Sequence, residues 1–96
     1  MDYFRALVVD DEPDFLETLV NRLGKRNIDT TGVRSGEEAI ELMKKKLFDV
    51  VILDIKMPGG MDGIEALREM KKIQPLAEVI LLTGHASVET SIEGMK

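Results

Sequence analysis

The sequence predicts an α/β domain built on a doubly wound parallel sheet, and three observations lead there. Short apolar runs alternate with stretches of helical period along all 96 residues. The runs at 50–53 and 79–82 are apolar through consecutive positions, leaving no polar face, which suits strands covered by helices on both sides. The connections are short, which favours parallel strands joined by right-handed helical crossovers.

The elements follow in order. Phe4-Arg5-Ala6-Leu7-Val8-Val9 reads as a strand because it is short, β-branched at its end and stopped by acids. Phe15, Leu16, Leu19, Val20 and Leu23 then share one helix face, with Pro13 at a first helical position and Gly24 placed after the end. Ile28-Asp29-Thr30-Thr31-Gly32-Val33 is more polar, as an edge strand would be. Ser35-Gly36-Glu37-Glu38 is a capping box ahead of a stripe of Ala39, Ile40, Met43 and Leu47. Asp49-Val50-Val51-Ile52-Leu53-Asp54 is a strand with no polar face until its last residue. Asp62 repeats the capping logic for a helix carrying Ile64, Leu67, Met70 and Ile73, which Gln74-Pro75 closes. Ala77-Glu78-Val79-Ile80-Leu81-Leu82-Thr83 is the last strand, and Ser87 caps a final helix with Val88, Ile92 and Met95. The order is βαβαβαβα, one module from residue 1 to 96 without repeat or linker.

Composition narrows the function classes. Thirteen Lys and Arg against eighteen Asp and Glu give a net charge of −5, which argues against a nucleic-acid footprint. With no cysteine there is no disulfide, thiolate metal site or thiol nucleophile. The first residues lack the basic flank and apolar stretch of a signal peptide, and no apolar run approaches the roughly 20 residues of a bilayer span. The expectation is a soluble cytoplasmic domain. No G-x-x-x-x-G-K-[ST] and no G-x-G-x-x-G after the first strand is present, so neither a P-loop nor a dinucleotide site is expected.

Acids stand where two apolar strands stop: Asp10, Asp11 and Glu12 after the first, Asp54 at the end of the third. In an open α/β sheet, ligands bind beyond the carboxyl ends of the strands. If these two strands are neighbours, Asp10, Asp11 and Asp54 converge, and three carboxylates there repel unless a cation neutralises them. Oxygen-only ligands select a hard cation, and Mg²⁺ suits carboxylates, waters and a phosphate. The run 10–12 also suits helix N-capping before Pro13, and Asp54 a turn. Glu12 either adds field to the metal site or is a solvated first-turn acid. His85, the one histidine, reads as an exposed loop residue, the methionines as core filler, and Lys44-Lys45-Lys46 as a solvated helix end.

Val8-Val9-Asp10-Asp11-Glu12, Leu53-Asp54-Ile55-Lys56-Met57-Pro58, Asp62-Gly63 and Leu81-Leu82-Thr83-Gly84 together resemble the receiver domain of two-component response regulators. Residues 57–65 and 83–86 are most similar to receivers of enhancer-binding, NtrC-type transcriptional activators. The resemblance implies a flavodoxin-like fold with strand order 2-1-3-4. It implies Asp54 as phosphoacceptor from a sensor histidine kinase. It implies Mg²⁺ held by Asp11 and Asp54 carboxylates, by the Lys56 backbone carbonyl and, through water, by Asp10. Thr83 would supply the switch hydroxyl and the Gly84 N–H a donor to the phosphoryl group; taken alone, Thr83 also suits a β-branched strand end. An output domain, transcriptional in kind, would receive the signal. Slow self-catalysed phosphorylation and dephosphorylation are then the activities expected, with no metabolic turnover.

Two departures from the family pattern stand out. Gly59-Gly60 lengthens the loop after Pro58 by one residue. The sequence also stops at Lys96, about 25 residues before a fifth strand and helix would end, so the family's phosphate-pairing lysine and aromatic switch residue have no counterpart. The simplest reading is an incomplete receiver, a (βα)4 fragment of a (βα)5 unit. The expected consequences are slower transfer and a bare edge at Val79–Leu82 that invites self-association. Two alternatives remain: a receiver-like dimerisation module that takes up no phosphate, and an aspartyl phosphohydrolase, which Asp54-Ile55-Lys56 suits poorly for want of a second acid.

Overall fold

The computed structural model describes residues 4–56 and 61–82. Seven elements alternate: β1 (Arg5–Val9), α1 (Pro13–Lys25), β2 (Asp29–Val33), α2 (Gly36–Met43), β3 (Val50–Asp54), α3 (Gly63–Ile73) and β4 (Glu78–Leu82). The four strands form one parallel sheet in the order β2-β1-β3-β4. Fold class, strand order and all four strands thus agree with the sequence. The final helix expected after Ser87 lies outside the described residues, as do Met57, Pro58, Gly59, Gly60, Thr83, Gly84 and His85.

Alternation along the strands sorts the core into two layers. Leu7, Val9, Val51 and Leu53 meet Ala39, Ile40 and Met43 of α2 and Ala66 and Met70 of α3 in the main core. On the other face, α1 lies over β2 and β1, where Leu16 and Val20 close over Gly32 and leave no room for a side chain there. Ala6 and Val8 are fully buried on that side. Ile52, farther from α1, is only half-buried, and its partner Ile80 on β4 is 51% exposed.

Four local expectations need correction. Gly24 does not follow α1 but lies inside it; Asn27 takes the left-handed conformation (φ 64°) instead. From there Asn27 N–H donates to the Gly24 carbonyl (3.0 Å) and Ile28 N–H to that of Leu23 (3.2 Å), which satisfies the helix's last carbonyls. Leu47 is 73% exposed because α2 stops at Met43, and Phe48, at 5%, fills the core in its stead. Ile64 is exposed in the first turn of α3, where Ala66 takes the buried position. Finally, Ser35 caps α2 as expected, but the Glu38 carboxylate accepts from Arg34 N–H, one residue farther back than a capping box requires.

Candidate metal and phosphoacceptor site

β1 and β3 are neighbours whose last paired residues are Val9 and Leu53. The next residue on each chain is an acid, Asp10 and Asp54, so the register itself sets these two carboxylates side by side about one strand spacing apart. Asp11 joins them as the chain leaves the sheet. One carboxylate oxygen from each of Asp10, Asp11 and Asp54 lies within 4.8 Å of the others. Asp10 is fully buried, Asp54 is 4% exposed and Asp11 is half-buried. The sequence-predicted cluster is therefore assembled.

Backbone donors orient the acids. Glu12 N–H donates to Asp10 Oδ1 (2.9 Å), and Lys56 N–H to Asp54 Oδ1 (3.0 Å). Asp10 N–H extends the β1–β2 ladder to the Val33 carbonyl (3.1 Å), and Ile55 N–H extends the β3–β4 ladder to that of Leu82 (3.0 Å). The hydrogen bonds thus hold Asp10 and Asp54 at sheet termini rather than on free loops. Glu12 stands apart: it is exposed and caps α1, its carboxylate accepting from Asp14 N–H. N-capping of α1 falls to Glu12, which leaves Asp10 and Asp11 to the cluster. Lys56 is exposed next to Asp54.

The donor set is all oxygen and all anionic, and much of it is withdrawn from water. That chemistry fits a hard divalent cation held by carboxylates, with open positions for water and a phosphoryl oxygen. Without a cation, three adjacent carboxylates repel one another.

Sequence reasoning missed the corner between β2 and α2. Arg34 Nη2 donates to the Asp11 carbonyl oxygen (3.4 Å), and the Glu37 carboxylate accepts from Met61 N–H (2.9 Å). Residues 34–38 therefore touch both loops that frame the acids. The usable signal was position: Arg34 directly follows a strand, at the sheet end where the acids gather.

The sequence model of the response regulator receiver domain matches residues 6–96. The chain belongs to that family. Among curated relatives, the response regulator protein PilR of Pseudomonas aeruginosa is 35% identical over 92 residues, which is 96% of this chain and 20% of PilR. The regulatory protein AtoC of Escherichia coli is 38% identical over 92 residues, again 96% of this chain and 20% of the relative. This chain spans about a fifth of the length of these relatives. Among solved structures, a CheY-like receiver domain protein from Methanospirillum hungatei superposes with TM-score 0.83 at 28% identity, covering 98% of this chain and 74% of that one. The response regulator TrrA of Thermotoga maritima in complex with Mg²⁺-BeF gives TM-score 0.77 at 36% identity, covering 95% and 78%. A complex of the histidine kinase ThkA with TrrA gives TM-score 0.75 at 41% identity, covering 84% and 71%. No helix among the described residues is long and apolar enough to cross a membrane.

Proposed function

We propose that this receiver accepts a phosphoryl group on Asp54 from a sensor histidine kinase and passes the change in state to an output domain that regulates transcription. The observation that carries the proposal is the convergence of Asp10, Asp11 and Asp54 within 4.8 Å at the carboxyl ends of adjacent central strands. The likeness to a response regulator bound to Mg²⁺-BeF and to a kinase–regulator complex supports the same reading.

In the proposed reaction an Asp54 carboxylate oxygen attacks phosphorus. The new O–P bond forms as the donor's P–N bond breaks, and the kinase imidazole leaves. Lys56 N–H, on Asp54 Oδ1 at 3.0 Å, helps to hold the rotamer of the nucleophile. Asp10, Asp11, Asp54 and the Lys56 carbonyl would hold Mg²⁺, whose charge would offset that of the phosphoryl group. Thr83 and Gly84, just past β4, are assigned the switch hydroxyl and the backbone donor. Phosphoryl transfer asks mainly for positioning and charge neutralisation, so this set suffices without a general base.

The test is phosphorylation by a small phosphodonor with Mg²⁺, followed by intact mass and acid–base lability. Incorporation of one phosphoryl group that Asp54→Asn abolishes is the expected result; labelling that survives that substitution overturns the proposal. The exposed Ile80 and Leu81 on β4 favour a second reading, a dimerisation module that takes up no phosphate. Absence of labelling together with concentration-dependent dimerisation would favour it.

A further inference from the structure

Arg34 joins the corner between β2 and α2 to the loop that carries Asp11. Its guanidinium Nη2 donates to the Asp11 carbonyl at 3.4 Å, while its own N–H is held by Glu38 Oε2 at 3.1 Å. Covalent geometry keeps a residue's carbonyl oxygen within about 5 Å of its own side-chain carboxylate, so Nη2 lies within about 8–9 Å of the Asp11 carboxylate. That is inside a Debye length of about 10 Å at 0.1 M salt. A guanidinium keeps its charge throughout the working pH range.

We infer that Arg34 sets how tightly the Asp10–Asp11–Asp54 cluster takes a divalent cation, its fixed positive charge competing with the incoming ion while easing repulsion among the metal-free carboxylates. The inference rests on the proposed function, because it takes the cluster as a cation site. Two effects of Arg34 oppose each other, and their sizes decide the sign. The hydrogen bond to Asp11 is exposed and long for an N–H···O contact, so losing it disturbs the loop little. The charge acts at any rotamer within reach, and a divalent ion feels it twice over. At 8–9 Å in water-like dielectric and low salt, that is about a two- to fourfold difference in affinity. Charge therefore wins, and removing it tightens the site.

The experiment is calorimetric titration of the metal-free protein with Mg²⁺ alone, which needs no phosphorylation. Arg34→Gln is expected to bind about two- to fourfold more tightly than the parent in 20 mM salt, with the difference shrinking below about 1.5-fold in 0.5 M salt. Arg34→Lys should stay near the parent, and Arg34→Glu should tighten further. Weaker or unchanged binding by Arg34→Gln, or a tightening insensitive to salt, overturns the inference, since a merely structural residue loosens the site when lost. If Arg34→Gln unfolds, the Arg34→Lys and Arg34→Glu pair carries the same comparison. A parent without saturable Mg²⁺ binding, or with binding that Asp11→Asn leaves intact, would bring down the cation site itself and this inference with it.

Discussion

A Cβ built on Gly63 would lie 2.4 Å from the Cα of Ile55 and 2.9 Å from its Cβ. The start of α3 is thus pressed against the residue that follows Asp54, and only glycine permits that approach. Because the obstacle includes backbone, no side-chain rotation relieves it. Gly63→Ala is expected to cost about 1–3 kcal/mol, as overpacking does, read as a lower urea midpoint. It should also displace Ile55 and Asp54, visible as changed amide shifts at Asp54 and weaker Mg²⁺ binding. Gly24→Ala is the contrast: nothing lies within 4 Å of that Cβ, the position is helical, and a gain of about 0.5–1 kcal/mol is expected.

Gln74 ties the far end of the sheet together. Its amide nitrogen donates to the carbonyls of Met43 (2.8 Å) and Lys46 (2.7 Å), and its oxygen accepts from Phe48 N–H (2.9 Å). Every polar atom of this 6%-exposed side chain is used, and the loop leading into β3 is fixed against the end of α3. Gln74→Glu keeps the acceptor but turns both donors into a carboxylate facing carbonyls. About 2–4 kcal/mol of stability should be lost at pH 7. The buried carboxylate would have a raised pKa, so acidification should return part of that loss as protonation restores one donor. Urea unfolding at pH 7 and pH 5 measures both.

Reading from sequence reached the strands and the acids because both are local signals. Short apolar runs mark strands, whether covered like β3 or partly exposed like β4, and an acid right after such a run emerges at a strand terminus. The convergence of Asp10 with Asp54 needed one further step, that β1 and β3 are neighbours, which the residues left as a condition and the resemblance to receivers, with its strand order 2-1-3-4, implied. Other features depend on contacts distant in sequence or on competition between near-equal neighbours. The Gln74 clamp spans 26 to 31 residues and has no local signature. Gly24 and Asn27 both suit a left-handed helix end, and the choice falls to the residue from which Ile28 N–H reaches Leu23. Leu47 keeps helical spacing from Met43, but α2 has ended by then, so Phe48 turns inward.

The Glu41 carboxyl is held below its ordinary range, chiefly by the hydrogen bond from Lys44 and next by the charge of that ammonium, at 3.0 Å. A depressed folded-state pKa means stability that is present above the unfolded pKa and lost as pH falls through the folded one. Both side chains lie on the surface, so the pair's effect on stability is small and screened by salt. Carboxyl NMR titration should give Glu41 a midpoint lower than that of a free glutamate, and Lys44→Met should raise it.

β4 pairs with β3 along one edge, and it exposes Ile80 (51%) and Leu81 (39%) on opposite faces. Among the described residues no strand covers the other edge. Where nothing covers it, an apolar edge with no charge from Val79 to Leu82 would act as a template for another chain. Sedimentation velocity over a hundredfold concentration range should therefore reveal association. Ile80→Lys places a charge on that edge and should shift the mass distribution toward monomer, with little change in the unfolding midpoint because the site is already half in water. A monomer at every concentration would contradict this reading of β4.

Asp10 offers the cleanest separation of stability from cation binding. It is fully buried beside two other carboxylates, and its Oδ1 accepts from Glu12 N–H. Asp10→Asn preserves shape and that acceptor while removing one of three like charges. In metal-free protein the substitution should raise the melting temperature, since repulsion among the acids falls; a gain of about 1 kcal/mol is the expected scale. In saturating Mg²⁺ the order should reverse, because the parent gains stabilisation from binding and the variant, short of one anion, gains less. Melting curves of both proteins with chelator and with Mg²⁺ give the crossing directly. A variant less stable than the parent in chelator would mean that hydrogen bonding to the ionised Asp10 outweighs the repulsion, and that the cluster is a structural network rather than a site held open for a cation.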